Sequence, residues 1–333
     1  MGRAAVLKVL DQMAIPAIAA PMFLVSNPNL ALACCAEGIM GSFPAHGTRT
    51  REELEQWLID MQRGIERLRA EAGGRIIAPY AVNLVVHPSN PRYAGDLDLV
   101  ERFKVPVVLT SKGAPGDAFK RIHGWGGVAL HDIANQRHAE KALEGGADGV
   151  IAVCGGAGGH TGTINPFALV NEVRQLGDDF AIVLAGGMTT GRDVLAAQAM
   201  GADLAYIGTR FIATREAAAV AGHKQMILDT RAPDVFFSAS IDGAPANWLL
   251  PSLLAAGIDL DVLRTTLPGK IVSAQESKKR WKDLWTAGHG VGNITDIPEA
   301  AALCRRLKDE YAAAQRLLST LAPAGSPRTA RVG

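Results

Sequence analysis

The 333 residues, 48% of them hydrophobic and 20% charged, are enough to bury one large core or two modest ones, which excludes disorder over most of the chain. Lys plus Arg number 34 against 33 Asp plus Glu, so no overall charge steers the protein toward nucleic acid or an anionic membrane, and a small molecule is the expected partner. Cys34, Cys35, Cys154 and Cys304 lack metal-ligand spacing, which predicts buried, reduced thiols, a cytoplasmic location and no metal site.

The first expected strand is Ala14–Ala20. It opens an apolar stretch, Ala14–Val25, that Pro16 and Pro21 break and that is too short to cross a bilayer. There follow an amphipathic helix at Asn29–Ala36, a strand at Ile39–Phe43 and a helix at Arg51–Arg69, with Thr50 and Glu53 spaced as a capping box. Strands are expected at Ile76–Val85, Pro106–Thr110 and Gly127–Leu130, then a helix at Asn135–Glu144 and a strand at Gly149–Val153. A helix at Pro166–Gln175 starts where proline suits a first turn, after Asn165. Strand Ala181–Ala185, helix Gly191–Met200 and strand Leu204–Ile207 complete the series. Eight strands alternating with helices favour a TIM-type (β/α)₈ barrel over a doubly wound sheet.

After Glu216 the rhythm changes. Ala217–Ile227 and Pro251–Ile271 read as helical, with short strands and turns in Asp234–Trp248 between them. A return segment, Trp285–Thr295, and an amphipathic helix, Pro298–Leu321, follow. Residues 1–219 with 283–321 are therefore read as the barrel and its return segment, 220–282 as a smaller, mostly helical domain or cap, and 322–333 as a flexible tail.

In a barrel the working face is made by the loops that follow the strands. Gly186-Gly187 follows the seventh strand and Gly208-Thr209 the eighth, where bare backbone N–H groups and a threonine hydroxyl can cradle a phosphate. Gly155, Gly156, Gly158, Gly159 and Gly162 surround His160 after the sixth strand, which allows close approach of a flat ligand and sets an imidazole over the mouth. His160 is thus the leading proton-transfer candidate. His87, His131 and His46 lie near strand ends and are weaker candidates, His123, His138 and His223 are expected on the surface, and His289 sits in a glycine-rich return segment that can approach a cofactor.

Ala20-Pro21-Met22 with Val25-Ser26, Asn83-Leu84, Ala157-Gly158-Gly159-His160-x-Gly162, Ala185-Gly186-Gly187-Met188-x-x-Gly191 and Gly208-Thr209-Arg210-Phe211 resemble, in order and spacing, the nitronate monooxygenase or 2-nitropropane dioxygenase-like family. Pro245-Ala246-Asn247-Trp248-Leu249 and Trp285-x-Ala287-Gly288-x-Gly290-Val291-Gly292 resemble its C-terminal region. The resemblance implies a barrel that binds FMN. Ala20, Pro21 and Met22 would lie beside the flavin, Asn83 would hydrogen-bond it, Gly158 and Gly159 would pass near it, and Ala185, Gly186, Gly187, Gly208 and Thr209 would hold the phosphate. His160 occupies the catalytic-histidine position, where it would take the α-proton of a nitroalkane or orient a nitronate, with O₂ as oxidant and a carbonyl compound and nitrite as products.

Some relatives carry a lysine where this chain has Asp132 beside His131, and many place an acidic residue where it has Gly156; Asp132 is counted here among the cofactor-binding residues. The same motifs also resemble FMN-dependent enoyl-thioester reductases and NAD(P)H:quinone reductases, so NAD(P)H in place of a nitronate as electron source stays open. So do a non-catalytic flavin scaffold and a phosphosugar-processing barrel. A homodimer is compatible with all of these readings.

Overall fold

Parallel strands buried on both faces become runs of Val, Ile, Leu and Ala, and helices that cover them need one apolar stripe; the chain supplies these in turn. The computed structural model describes residues 2–113, 116–266, 270–272 and 281–321. Its first half contains α1 (Gly2–Leu10), β1 (Ala17–Ala19), α2 (Pro28–Ala36), β2 (Ser42–Pro44), α3 (Arg51–Ala70), β3 (Ala81–Val85), α4 (Tyr93–Arg102), β4 (Val107–Ser111) and α5 (Ala118–Gly124). There follow β5 (Val128–Ile133), α6 (Gln136–Glu144), β6 (Gly149–Val153), β7 (Gly159–His160), α7 (Pro166–Arg174), β8 (Ala181–Ala185), α8 (Gly191–Ala199), β9 (Leu204–Ile207) and α9 (Thr209–Ile212). The remainder holds α10 (Ala221–Asp229), β10 (Val235–Ser238), β11 (Ala246–Leu249), α11 (Leu250–Ala255), α12 (Leu260–Thr265) and α13 (Ala300–Leu321).

Eight of the strands pair in parallel in the order β1-β9-β8-β6-β5-β4-β3-β2, and a parallel bridge between Ile18 and Met40 closes the ring. The fold is a TIM barrel. Alternation along each strand sends one set of side chains, including Val107, Leu109, Val128, Leu130, Ile151 and Val183, into the barrel interior. The other set, including Val108, Ala129, Ile133, Val150 and Ile182, packs under the helices. Helix α1 closes the N-terminal end: Val6 and Val9 join the interior cluster, and the backbone N–H of Gly2 donates to Asp148 Oδ1 at 2.6 Å. The C-terminal end is left open as the mouth.

Several boundaries move for identifiable reasons. The first strand begins at Ala17, not Ala14, and the third at Ala81, not Ile76, beyond Pro16 and Pro79, which have no N–H to donate to a ladder. The second is Ser42–Pro44 in place of Ile39–Phe43. The fifth runs on to Ile133, past the expected end at Leu130, because pairing with β6 continues through Ile133 and Ala152. His131 and Asp132 are therefore strand residues that face opposite sides. Thr50 accepts from the N–H of Glu53, but Glu53 returns its carboxylate to Arg49, so the reciprocal box expected there is found instead at Thr190 and Asp193.

Beyond the barrel, the stretch read as one helix over Pro251–Ile271 is broken into α11 and α12 at Gly257, whose φ is +70°. β10 and β11 form an antiparallel pair that continues onto β7, making a three-stranded sheet. Trp248, Ile241, Leu253, Leu263 and Leu284 fill a core of their own beneath it. Residues 267–269 and 273–280 of the expected small domain, and the tail from 322, lie outside the described residues. Among the described residues no helix is long and apolar enough to cross a membrane.

Helix α8 meets α13 at Gly191, where an added Cβ would lie 1.9 Å from the Leu307 carbonyl oxygen and 2.4 Å from the Tyr311 nitrogen. Backbone cannot yield as a side chain can, so Gly191→Ala is expected to destabilise the protein by about 2–3 kcal/mol or more. Gly124→Ala, at a helix end with open space around it, is expected to change stability by less than about 1 kcal/mol. Urea unfolding of the two variants beside the parent protein measures both.

Candidate active site

A cavity of about 1140 Å³ opens at the C-terminal end of the barrel. Every position assigned from the sequence to catalysis or to the cofactor borders it: Ala20, Pro21 and Met22 after β1, Asn83 in β3, and Asp132 in β5. From the glycine loop and the last two barrel strands come Gly158, Gly159 and His160, then Ala185, Gly186 and Gly187, then Gly208 and Thr209. Residues scattered over nearly 190 positions of sequence are brought together by one rule, that parallel strands end on the same face.

The glycines have distinct tasks. Gly186 and Gly187 have φ of +144° and +71°, and a Cβ on Gly187 would meet nothing, so its backbone is bare toward the cavity. Thr209 Oγ1 accepts the Gly288 N–H at 2.8 Å, which leaves the hydroxyl proton free to be donated. Together with Gly208 these groups form a concave, uncharged set of donors suited to a phosphate, and the cradle that side chains would fill is open. Gly158 and Gly288 serve packing instead: a Cβ on Gly158 would lie 2.7 Å from the Gly288 nitrogen, and one on Gly288 would lie 2.4 Å from the Gly156 carbonyl oxygen. The return segment thereby lies directly on the glycine loop, and His289, which donates its N–H to Gly156 O at 2.9 Å, packs beside that loop and does not border the cavity.

His160 is held by the small sheet. Its backbone pairs with Ala246, Gly159 pairs with Asn247, and the Asn247 amide donates to Ala157 O at 2.7 Å. The ring lies 5.0 Å from that of Trp281, which in turn leans on Trp248. Nε2 is 2.9 Å from Asp242 Oδ2 and 3.3 Å from Lys112 Nζ. A carboxylate only accepts and an ammonium only donates, so one Nε2 serves one of them at a time. Protonated, it donates to Asp242; deprotonated, it accepts from Lys112.

Neither Asp242 nor Lys112 was legible in the sequence. Burial works to raise the Asp242 carboxyl, but the hydrogen bond and charge of His160, the Ala244 N–H and Lys112 together hold it below the usual range. Burial lowers the Lys112 ammonium, with Asp242 opposing. Lys112 has a left-handed φ of +57°, an unusual conformation for a lysine and the one local signal of a constrained position.

The other histidines divide unexpectedly. His131 lies on the helical side of β5, hydrogen-bonded to Thr110 Oγ1 at 2.8 Å and edge-on to Phe119, and still borders the cavity, as Asp132 does from the barrel side. His46 borders the cavity and stacks on Phe23 with ring centroids 5.2 Å apart. His223, expected on the surface, is buried against Trp285 and borders the cavity, with Nε2 3.2 Å from Thr286 O. His123, also expected there, is partly buried, with Nε2 2.9 Å from Asp148 Oδ2. His138 is exposed at the cavity edge, and His87 is exposed beside Ser89. Asn83 donates its amide to Leu109 O and Ser111 Oγ, so its carbonyl oxygen is what it offers a ligand. All four cysteines are free and buried.

A family model described as nitronate monooxygenase matches residues 5–309. A (3aS,4S,5R,7aS)-5-hydroxy-7a-methyl-1-oxo-octahydro-1H-indene-4-carboxyl-CoA dehydrogenase of Rhodococcus jostii is 29% identical over 72% of this chain and 64% of its own length, so the match spans a little under two thirds of that relative. A nitronate monooxygenase of Paraburkholderia phytofirmans is 28% identical over 73% of this chain and 76% of its own. Among solved structures, a nitroalkane oxidase from Streptomyces ansochromogenes superposes with a TM-score of 0.72 at 26% identity, covering 93% of this chain and 99% of that one.

Burial pushes His46, His131 and His223 down to about 4. Unfolded, each takes up a proton near pH 6.5. The unfolded state therefore binds more protons than the folded one between about 6.5 and 4, and stability falls as pH drops through that window. The melting temperature is expected to fall from pH 7 to pH 5, and His131→Gln, which cannot protonate, to lose less over the same interval; differential scanning calorimetry at both pH values reads the difference.

Proposed function

The chain belongs to the nitronate monooxygenase family, an oxidoreductase family, and from that premise we propose that it binds FMN and oxidises alkyl nitronates with O₂ to a carbonyl compound and nitrite. The observation that carries this reading is His160, backbone-anchored by the small sheet and bordering the same cavity as the glycine cradle. Gly186, Gly187, Gly208 and Thr209 would hold the phosphate, and Ala20, Pro21, Met22, Asn83, Asp132, Gly158 and Gly159 would border the ring. FMN, when bound, supplies the redox chemistry by taking electrons from the substrate and passing them to dioxygen.

His160 and Lys112 supply the rest. A nitronate is already an anion, and a protonated imidazole beside an ammonium offers it two charge-assisted donors. A neutral nitroalkane has first to lose its α-proton, which Nδ1 of the neutral imidazole would accept while Nε2–H donates to Asp242, whose charge stabilises the imidazolium that results. Asp242 thus acts through His160 as a positioning residue. Trp281 and Trp248 shield the imidazole from water on one side.

A second reading keeps FMN but draws electrons from NAD(P)H to reduce an enoyl thioester or a quinone. The rim favours it in one respect: Phe23, Leu24 and Val220 border the cavity with 38%, 43% and 57% of their surface exposed, an apolar edge suited to an acyl chain. The name of the Rhodococcus jostii relative places that protein on a CoA thioester.

Anaerobic mixing decides between the two. Propionate 3-nitronate is expected to bleach the yellow protein and NADH or NADPH to leave it oxidised; the reverse result overturns the first reading. His160→Asn is expected to lower kcat/KM for a neutral nitroalkane by about 10²–10⁴-fold and for the preformed nitronate by much less, since only the former needs a base. Steady-state oxygen consumption with the two substrates measures both.

A further inference from the structure

Asp132 is the one carboxyl in the floor of the mouth for which the protein provides no counterpart among the described residues. Alternation along β5 places it inward with Val128 and Leu130. It borders the cavity, and its Oδ1 is buried without a hydrogen-bond partner. Its immediate surroundings carry no charge. Ser111 and Asn83, from β4 and β3, bond each other, and Val153 represents β6. Tyr206 of β9 faces it from the other side of the barrel, its phenol pushed up by burial and by Asp132. His131 turns to the helical layer, Lys112 reaches toward His160, and His138 and Lys141 of α6 stand at the cavity edge.

A buried carboxylate without a cation is costly, whereas a neutral carboxyl is a good hydrogen-bond donor that still needs an acceptor. None of these neighbours takes that proton; the cavity is the direction left for it. We propose that Asp132 binds the flavin ring as a neutral acid, donating its carboxyl proton to a carbonyl or nitrogen acceptor on the ring edge, and that ring affinity is thereby linked to pH. The inference rests on the flavin reading given above. Burial supports it by pushing the Asp132 carboxyl up to about 7. Above that pH the ionised group presents a negative charge to an acceptor edge, and the donor is lost. The sign follows: affinity is full at low pH and falls as pH rises.

The test is FMN binding to apoprotein, read by quenching of FMN fluorescence from pH 6 to pH 9, in the parent protein, Asp132→Asn and Asp132→Ala. Asparagine keeps a donor of the same shape and cannot ionise, so the ratio of the two dissociation constants cancels the titration of FMN itself. That ratio is expected to be near one at pH 6 and to rise by about tenfold per pH unit once the free carboxyl ionises. Asp132→Ala is expected to bind more weakly than the parent at pH 6 and to lack the pH-dependent loss. A parent-to-asparagine ratio that is flat from pH 6 to pH 9 overturns the proposal even where FMN binds tightly. Failure of the folded parent protein to bind FMN at any pH overturns the flavin reading, and this inference with it.

Discussion

The pairing of Gly159 and His160 with Asn247 and Ala246 is the contact on which the mouth of the barrel depends. A loop rich in glycine after a barrel strand has little to hold it, because glycine loses the most conformational freedom on ordering and brings no side chain to pack. Here the loop borrows order from outside the barrel. β11 supplies the ladder, Asn247 caps the Ala157 carbonyl, the Thr161 N–H donates to Pro245 O, and the return segment lies on the loop so closely that neither Gly158 nor Gly288 admits a Cβ. The imidazole is thereby fixed by main-chain hydrogen bonds, while the glycines keep the surface beside it bare.

The same arrangement sets the charges. The segment that follows β10 carries Asp242 to the ring, and the loop after β4 carries Lys112 to the same nitrogen. A donor and an acceptor competing for one Nε2 make its proton responsive to whatever enters the site, because an anion satisfies Lys112 and a neutral acid leaves Asp242 to act. The barrel floor is treated differently. Asp132 and Tyr206 stand there half-buried, with no cation between them among the described residues, and burial raises both their pKa values. Charge is gathered at the rim and withheld from the floor.

Backbone strain follows the same distribution. Leu24, Lys112 and Trp281 are three of the four non-glycine residues with positive φ among the described residues, and all three border the cavity. Each such conformation costs roughly 1–2 kcal/mol and persists where surrounding contacts over-determine it. Hydrogen bonds from the Val25 and Ser26 N–H groups to Met22 O hold the turn that contains Leu24, and the aromatic stack of His160 and Trp248 receives Trp281. The barrel supplies the rigid frame, fully packed inside and under its helices, that makes such loops affordable.

Strand and helix periodicity, with glycine and proline punctuation, determined the barrel, and the order of strand ends determined which motifs meet at its mouth. His160, the glycines after β6, β8 and β9 and the segment Ala20-Pro21-Met22 were legible because each follows a strand, and Asn83 because it is a polar residue within an apolar strand; parallel strands carry these local properties to one face. Three things needed the tertiary structure. Asp242 and Lys112 reach His160 across 82 and 48 residues of sequence, separations that no local pattern encodes. Which of His131 and Asp132 points into the barrel hung on where β5 stops, since one residue of register exchanges the two sides of a strand. His223 looked like a surface residue because its helix has no pronounced apolar face, and Trp285, which returns from 62 positions onward, is what buries it. Periodicity is written into neighbours along the chain; pairing of charges and burial of rings are settled by neighbours in space.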